Sequence, residues 1–324
     1  MRRAFVFPGQ GAQSVGMGRD LALAYPAALH VFKAVDDALG EALSATIWEG
    51  DADALTLTRN AQPALMATSI AALRALEADG VDVARDAAFV AGHSLGEYSA
   101  LVAAGALSLG DAARLLRTRG EAMQDAVPVG EGAMAALLGL DLEAARAVAE
   151  EAAEEGEVCE AANDNDPAQV VVSGHSAAVE RACEIARARG AKRAVLLPVS
   201  APFHCALMAP AAERMRAALA EVDLRDPAVP LVANVTAAPV ARAGEIRDLL
   251  VRQVTGAVRW RESVARMAEG GVTEVWEIGA GRALSGMVRR IDKALATRSV
   301  GTPAEVKDAA ASLDGSDEGR PADV

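Results

Sequence analysis

Ser94 stands in Gly92-His93-Ser94-Leu95-Gly96, with a short apolar run ending at Ala91 before it and small and apolar residues at helical spacing after it. Between a strand and a helix, Gly-x-Ser-x-Gly is a nucleophile elbow: the glycines permit a sharp turn and close packing, so the serine hydroxyl projects at the carboxyl end of the strand. The helix that follows aims unpaired N–H groups and a positive dipole end at an oxyanion formed on an ester carbonyl. The pentapeptide alone is common. Its setting is what makes Ser94 a candidate catalytic serine rather than a structural turn.

A serine nucleophile needs a base, and the chain has four histidines. His30 lies in an amphipathic helical pattern and reads as a surface or packing residue. His93 adjoins the serine, and neighbours on a tight turn point apart, so its expected role is to order the elbow. His175 follows Ser173-Gly174 at a hairpin-to-helix turn and reads as structural. His204 remains, on an irregular segment containing Pro202 and Phe203, and is expected to face Ser94. Cys205 is a weaker nucleophile candidate, because an adjacent histidine does not readily reach it. No aspartate stands out as a third triad member, and a backbone carbonyl can orient an imidazole too.

Two further stretches bear on the chemistry. Gly9-Gln10-Gly11-Ala12-Gln13-Ser14-Val15-Gly16 follows the first strand, Ala4 to Phe7; a dinucleotide fingerprint is disfavoured because Ser14 stands where the third glycine belongs. The alternative is a loop beside the elbow whose backbone N–H groups supply a second oxyanion donor. Arg114, Arg117 and Arg119 share one helical segment. The first two read as solvated charges, whereas Arg119 is expected at a helix bend before Gly120.

The elements that must hold these residues alternate short apolar strands with Ala- and Leu-rich helices, an α/β pattern with a mainly parallel sheet. From Gly130 the texture changes. Strand 133–138, a helix capped by Asp141, strand 158–161, a turn at Asn163-Asp164-Asn165-Asp166-Pro167, strand 169–173, a helix capped by Ser176 and strand 193–197 give β-α-β-β-α-β, a ferredoxin-like unit. The expected division is a discontinuous large domain of residues 1–128 and 200–301, an insertion of 129–199, and a disordered polar tail of 302–324, with the site in the cleft between domains. Strand 230–236 and strand 273–278 complete the reading.

At 324 residues and 52% hydrophobic composition the chain can bury both cores. The net charge of −13 argues against nucleic acid as a partner, and no apolar run reaches the length of a membrane span. Three cysteines without metal-ligand spacing fit a reducing cytoplasm and predict no metal site. Monomer is the default expectation.

Taken together, Phe7-Pro8-Gly9-Gln10-Gly11-Ala12-Gln13, Gly92 to Tyr98, Arg119-Gly120-Glu121-Ala122-Met123-Gln124, Phe203-His204, Asn163, Gln169 to Gly174 and Val251-Arg252-Gln253 resemble the malonyl-CoA:acyl carrier protein transacylase family up to about residue 300. The resemblance implies an α/β-hydrolase-like domain with a ferredoxin-like insertion, and a role for each matched position. Ser94 attacks malonyl-CoA, His204 is its base, and the backbone N–H groups of Gln10 and Leu95 form the oxyanion hole. Arg119 pairs with the malonyl carboxylate at two points. The Gln253 carbonyl orients the histidine, and His93, Asn163 and Phe203 belong to the substrate site. Malonate then passes to the phosphopantetheine thiol of acyl carrier protein, with malonyl-CoA as substrate and no permanently bound cofactor.

Phe203 departs from the small residue of many stand-alone bacterial members, and a bulky ring there should favour malonyl over methylmalonyl. Asp164 varies in the family and has no account at this level. Carrier-protein docking is expected at Lys192 and Arg193, with Arg187 and Arg189, or at Arg289 and Arg290, with Lys293. A serine hydrolase and a non-catalytic acyl-binding subunit are the competing readings.

Overall fold

The computed structural model describes residues 1–199 and 201–314. Among the described residues ten strands form two sheets. They are β1 Arg3–Phe7, β2 Ala87–Gly92, β3 Gly132–Leu138, β4 Cys159–Asp166, β5 Gln169–His175, β6 Arg193–Leu196, β7 Leu231–Ala233, β8 Ala238–Val240, β9 Glu274–Ile278 and β10 Ala296–Val300.

The large sheet has the order β10-β9-β1-β2-β7-β8, parallel throughout except for the β7–β8 hairpin. Its central strands β1, β2 and β7 read as nearly continuous apolar runs because both faces are covered. Along β1, Phe5 and Phe7 point into one core with Val90 and Ile278, while Ala4 and Val6 point into the other with Trp260, Val264 and Val288. Each fully buried phenylalanine contributes about 1.5–3 kcal/mol relative to exposure. β1 and β2 sit at the sheet's centre, so the loops leaving their carboxyl ends, Pro8 onward and His93 onward, emerge side by side.

The small sheet is antiparallel in the order β4-β5-β3-β6, which is the ferredoxin-like arrangement. Ala135, Leu137, Val170 and Val172 face the helices Leu142–Ala152 and Ser176–Ala188 in a core of their own. Met134, Ala136 and Val171 face the large body. The chain is therefore α/β, an α/β-hydrolase-like body with a mainly parallel sheet and an inserted ferredoxin-like unit.

Several local expectations are corrected. Asn163 to Asp166 form the end of β4 rather than a turn. They are held extended by the large body: Val258 N–H donates to Ala162 O, Asp164 N–H to Val258 O, and Arg261 and Arg290 pair with Asp164 and Asp166. Ser176 is the first helical residue and not a cap; its hydroxyl donates to Gly130 O. The strand expected over 230–236 is only Leu231–Ala233 before the chain folds back as β8, and β10 is an additional parallel strand beyond β9.

The expected disordered tail begins with an ordered helix instead, Pro303–Asp314. Val306 and Ala309 are fully buried in the main core, and the Thr302 hydroxyl accepts from Glu305 N–H at its start. The remainder of that expected tail, 315–324, lies outside the described residues, as does Ser200 at the expected domain boundary.

Candidate active site

The elbow is enforced by close packing. A Cβ on Gly92 would lie 1.9 Å from Gly96 C, and one on Gly96 would lie 2.2 Å from Phe7 O. Ser94 takes φ 51, the left-handed region that costs a non-glycine residue energy and is kept where the surroundings impose it. Asn234, just after β7, does much of the imposing: its Oδ1 accepts from Ser94 N–H at 2.8 Å and its Nδ2 donates to Gly92 O at 2.7 Å. The helix Gly96–Ala103 follows, every residue of it buried.

His204 lies 2.8 Å from Ser94, Nε2 to Oγ, and also has a positive φ, 61. Its Nδ1 lies 2.9 Å from Gln253 O. A carbonyl only accepts, so Nδ1 carries the hydrogen and the Nε2 lone pair faces the serine hydroxyl. Burial, and then the charge of Arg119, lower the imidazole pKa to about 3, so the ring is neutral at physiological pH.

Arg119 sits in the helix Leu109–Asp125, which runs on past it for six residues. The expected bend at Gly120 is absent; the glycine instead lets this helix approach another, since a Cβ there would lie 2.5 Å from Arg59 Cα. The guanidinium is 1% exposed, and its charge survives burial on oxygen acceptors. Nη1 donates to Gln62 Oε1 at 2.7 Å, while Nη2 donates to Gln253 Oε1 at 2.9 Å and to Ser94 Oγ at 3.1 Å.

These groups converge on a cavity of about 450 Å³ whose lining includes Gln10, His93, Ser94, Leu95, Arg119, Met123, Met134, Asn163, Phe203 and His204. The backbone N–H groups of Gln10 and Leu95 donate to no acceptor among the described residues. Two unengaged N–H groups beside a serine, a neutral imidazole and a buried guanidinium make an arrangement suited to acyl transfer on a substrate carrying a carboxylate.

His93 borders the cavity and is tied to the inserted unit, Nε2 to Asn165 Oδ1 at 2.8 Å. Its ring pKa is lowered by burial. His175 Nδ1 accepts from Val158 N–H, away from the cavity, and His30 is exposed. Cys205 is buried with its thiol pushed up to about 11 by burial. Lys192 and Arg193 are exposed at the start of β6, while Arg290 pairs with Asp166 and Arg289 donates to Thr297 Oγ1.

Sequence reasoning missed Gln62, Glu97, Asn165 and Asn234. Gln62 had a signal, the one amide among the buried residues of its Ala- and Leu-rich helix. The others act through contacts between segments far apart in sequence.

A family model described as "Acyl transferase domain" matches residues 4–306. The malonyl CoA-acyl carrier protein transacylase of Bacillus subtilis is 48% identical over 304 residues, 94% of this chain and 95% of that protein. The chain belongs to the malonyl CoA-acyl carrier protein transacylase family. Among solved members of the transacylase family, the acyl-carrier-protein-S-malonyltransferase from Bartonella henselae superposes with a TM-score of 0.95 at 55% identity, covering 97% of this chain and all, 100%, of that one. A malonyl-transacylase solved in complex with its type II PKS acyl-carrier protein gives 0.93 at 42% identity, with 96% and 100% coverage.

Proposed function

We propose that this transacylase moves the malonyl group from malonyl-CoA to the phosphopantetheine thiol of acyl carrier protein, supplying extender units for fatty-acid or polyketide synthesis. The observation that carries the reading is the buried Arg119 guanidinium 3.1 Å from the Ser94 hydroxyl that also meets His204. A malonyl ester on Ser94 places its free carboxylate one methylene beyond the ester carbonyl, within reach of that guanidinium.

In the first half-reaction Ser94 Oγ attacks the thioester carbonyl as His204 Nε2 takes its proton. The N–H groups of Gln10 and Leu95 receive the oxyanion, and the C–S bond breaks as the imidazolium returns the proton to the CoA thiolate. In the second, His204 takes the proton of the phosphopantetheine thiol, whose sulfur attacks the malonyl ester, and the proton goes back to Ser94 Oγ. The Gln253 carbonyl holds the imidazole tautomer throughout. One thioester replaces another, so the exchange runs both ways.

His93 and Asn163 supply polar groups to the wall of the acyl site, and the Phe203 ring in the same lining disfavours an α-methyl branch, giving malonyl over methylmalonyl. Lys192, Arg193, Arg289 and Arg290 offer positive charge to an acidic carrier protein despite the net charge of −13. The enzyme works as a cytoplasmic monomer with residues 129–199 as its inserted domain; sedimentation of the purified protein as a stable dimer would remove the first of these.

One time course tests the reading. Malonyl-CoA without acceptor should release a single stoichiometric burst of CoA, and adding the phosphopantetheine-bearing carrier protein should start steady turnover. Lys192→Glu with Arg193→Glu should leave the burst unchanged and slow only the second phase, roughly tenfold at low salt. Steady CoA release without acceptor would instead mark a hydrolase, and an unchanged second phase would dismiss that docking site.

A further inference from the structure

The carboxylate of Glu97 has no part in the reaction as derived, yet it is 1% exposed and within one residue of the Ser94 network. Three positions after the serine, in the first turn of the helix Gly96–Ala103, it accepts from Gln253 Nε2 at 2.6 Å. Gln253 is itself 0% exposed and uses both ends of its amide: Nε2 also donates to Ser94 O at 2.9 Å, and Oε1 accepts from Arg119 Nη2 at 2.9 Å. Turning the amide over would set its NH2 against the guanidinium donors and its oxygen against two acceptors, and each mismatch is costly where no water can reach.

We infer that Glu97 is a positioning residue for acyl selectivity: its acceptor oxygen fixes the Gln253 amide, which in turn aims Arg119 at the substrate carboxylate. Gln253 thereby serves the site twice, with its main-chain oxygen on the base and its side-chain oxygen on the carboxylate clamp. The acceptor oxygen matters here rather than the charge. Burial pushes the Glu97 carboxyl up to about 7, with its hydrogen bond from Gln253 opposing the shift, and either protonation state retains an oxygen that accepts.

The inference rests on the transacylase reading, and the test separates the two. Rates of Ser94 acylation by malonyl-CoA and acetyl-CoA are measured in the same preparation, so the fraction of folded protein cancels in their ratio. Glu97→Gln keeps an oxygen and should hold the malonyl-to-acetyl ratio within about threefold. Glu97→Met removes it and should lower the ratio about tenfold or more, through malonyl alone. In an Arg119→Ala background Glu97→Met should lower malonyl acylation no further.

Gln253→Met is the second route, since it preserves the main-chain carbonyl and should lower the ratio as Glu97→Met does, whether or not the latter folds. An unchanged ratio in the methionine variants, equal slowing of both acyl groups, or Glu97→Gln behaving as Glu97→Met would overturn the inference. Absence of any malonyl-enzyme in the unmodified protein would instead overturn the transacylase reading itself.

Discussion

Ser94 Oγ has two polar neighbours: His204 Nε2 faces its proton, and Arg119 Nη2 donates to its oxygen. In the proposed reaction the imidazole serves every acyl group, whereas the guanidinium turns from the hydroxyl to a substrate carboxylate and so distinguishes one acyl group from another. Arg119→Ala should therefore cut malonyl transfer roughly 10²- to 10⁴-fold, the loss of two charge-assisted hydrogen bonds at about 1.5–3 kcal/mol each, while acetyl transfer holds within about threefold. Equal losses on the two substrates in steady-state assays would remove the clamp.

The histidine gives a pH prediction. Its folded pKa lies near 3, below the ordinary 6.5, because burial and the Arg119 charge both penalise the imidazolium. Lowering the pKa leaves the base neutral as pH falls, so acylation by acetyl-CoA, which brings no carboxylate to offset Arg119, should stay flat from pH 8 to 5. A limb at 6.5 in single-turnover rates would show an unperturbed imidazole. Ser94 was legible from its pentapeptide and His204 by elimination among four histidines. Gln62 and Asn234 were not, because an amide's importance comes from what it meets across the fold.

At the scale of elements, the site is a junction of chain ends. β1 and β2 deliver the Gln10 loop and the elbow, the end of β7 delivers Asn234, and the helix Ala243–Thr255 delivers Gln253. Asn234→Ala deletes both elbow bonds and takes the side-chain partner from the part-buried Ser94 N–H and the buried Gly92 C=O. It should cost about 1–3 kcal/mol of stability, read as an earlier denaturation midpoint, and slow the CoA burst about tenfold; an unchanged burst rate would show that Ser94 keeps its strained backbone unaided. Most strand and helix types followed from periodicity; β8 and β10 escaped it, and so did two segments of misleading composition. Asn163 to Asp166 look like a turn by composition and become strand because the large body supplies partners for their polar groups. Thr302-Pro303-Ala304-Glu305 was a readable helix start, masked by the polar residues after it.

For the molecule as a whole, β4 is the seam. Asp164 to Arg261, Asp166 to Arg290 and Asn165 to His93 tie the inserted unit to the large body along one edge of the cavity, and the main chain pairs there as well. This gives Asp164 the account that the sequence lacked: a 2% exposed carboxylate bonded to the arginine it faces, its pKa still raised by burial. Met134 and Phe203 then close the cavity from the inserted unit and from the returning chain. Among the described residues no helix is long and apolar enough to cross a membrane.

The most direct test is intact-mass measurement after mixing the protein with malonyl-, methylmalonyl- and acetyl-CoA in competition. The account predicts one adduct per chain with the mass of a malonyl ester, located by peptide mapping on Ser94 and missing from Ser94→Ala. A full adduct on Ser94→Ala, or no adduct on the unaltered enzyme, would contradict it.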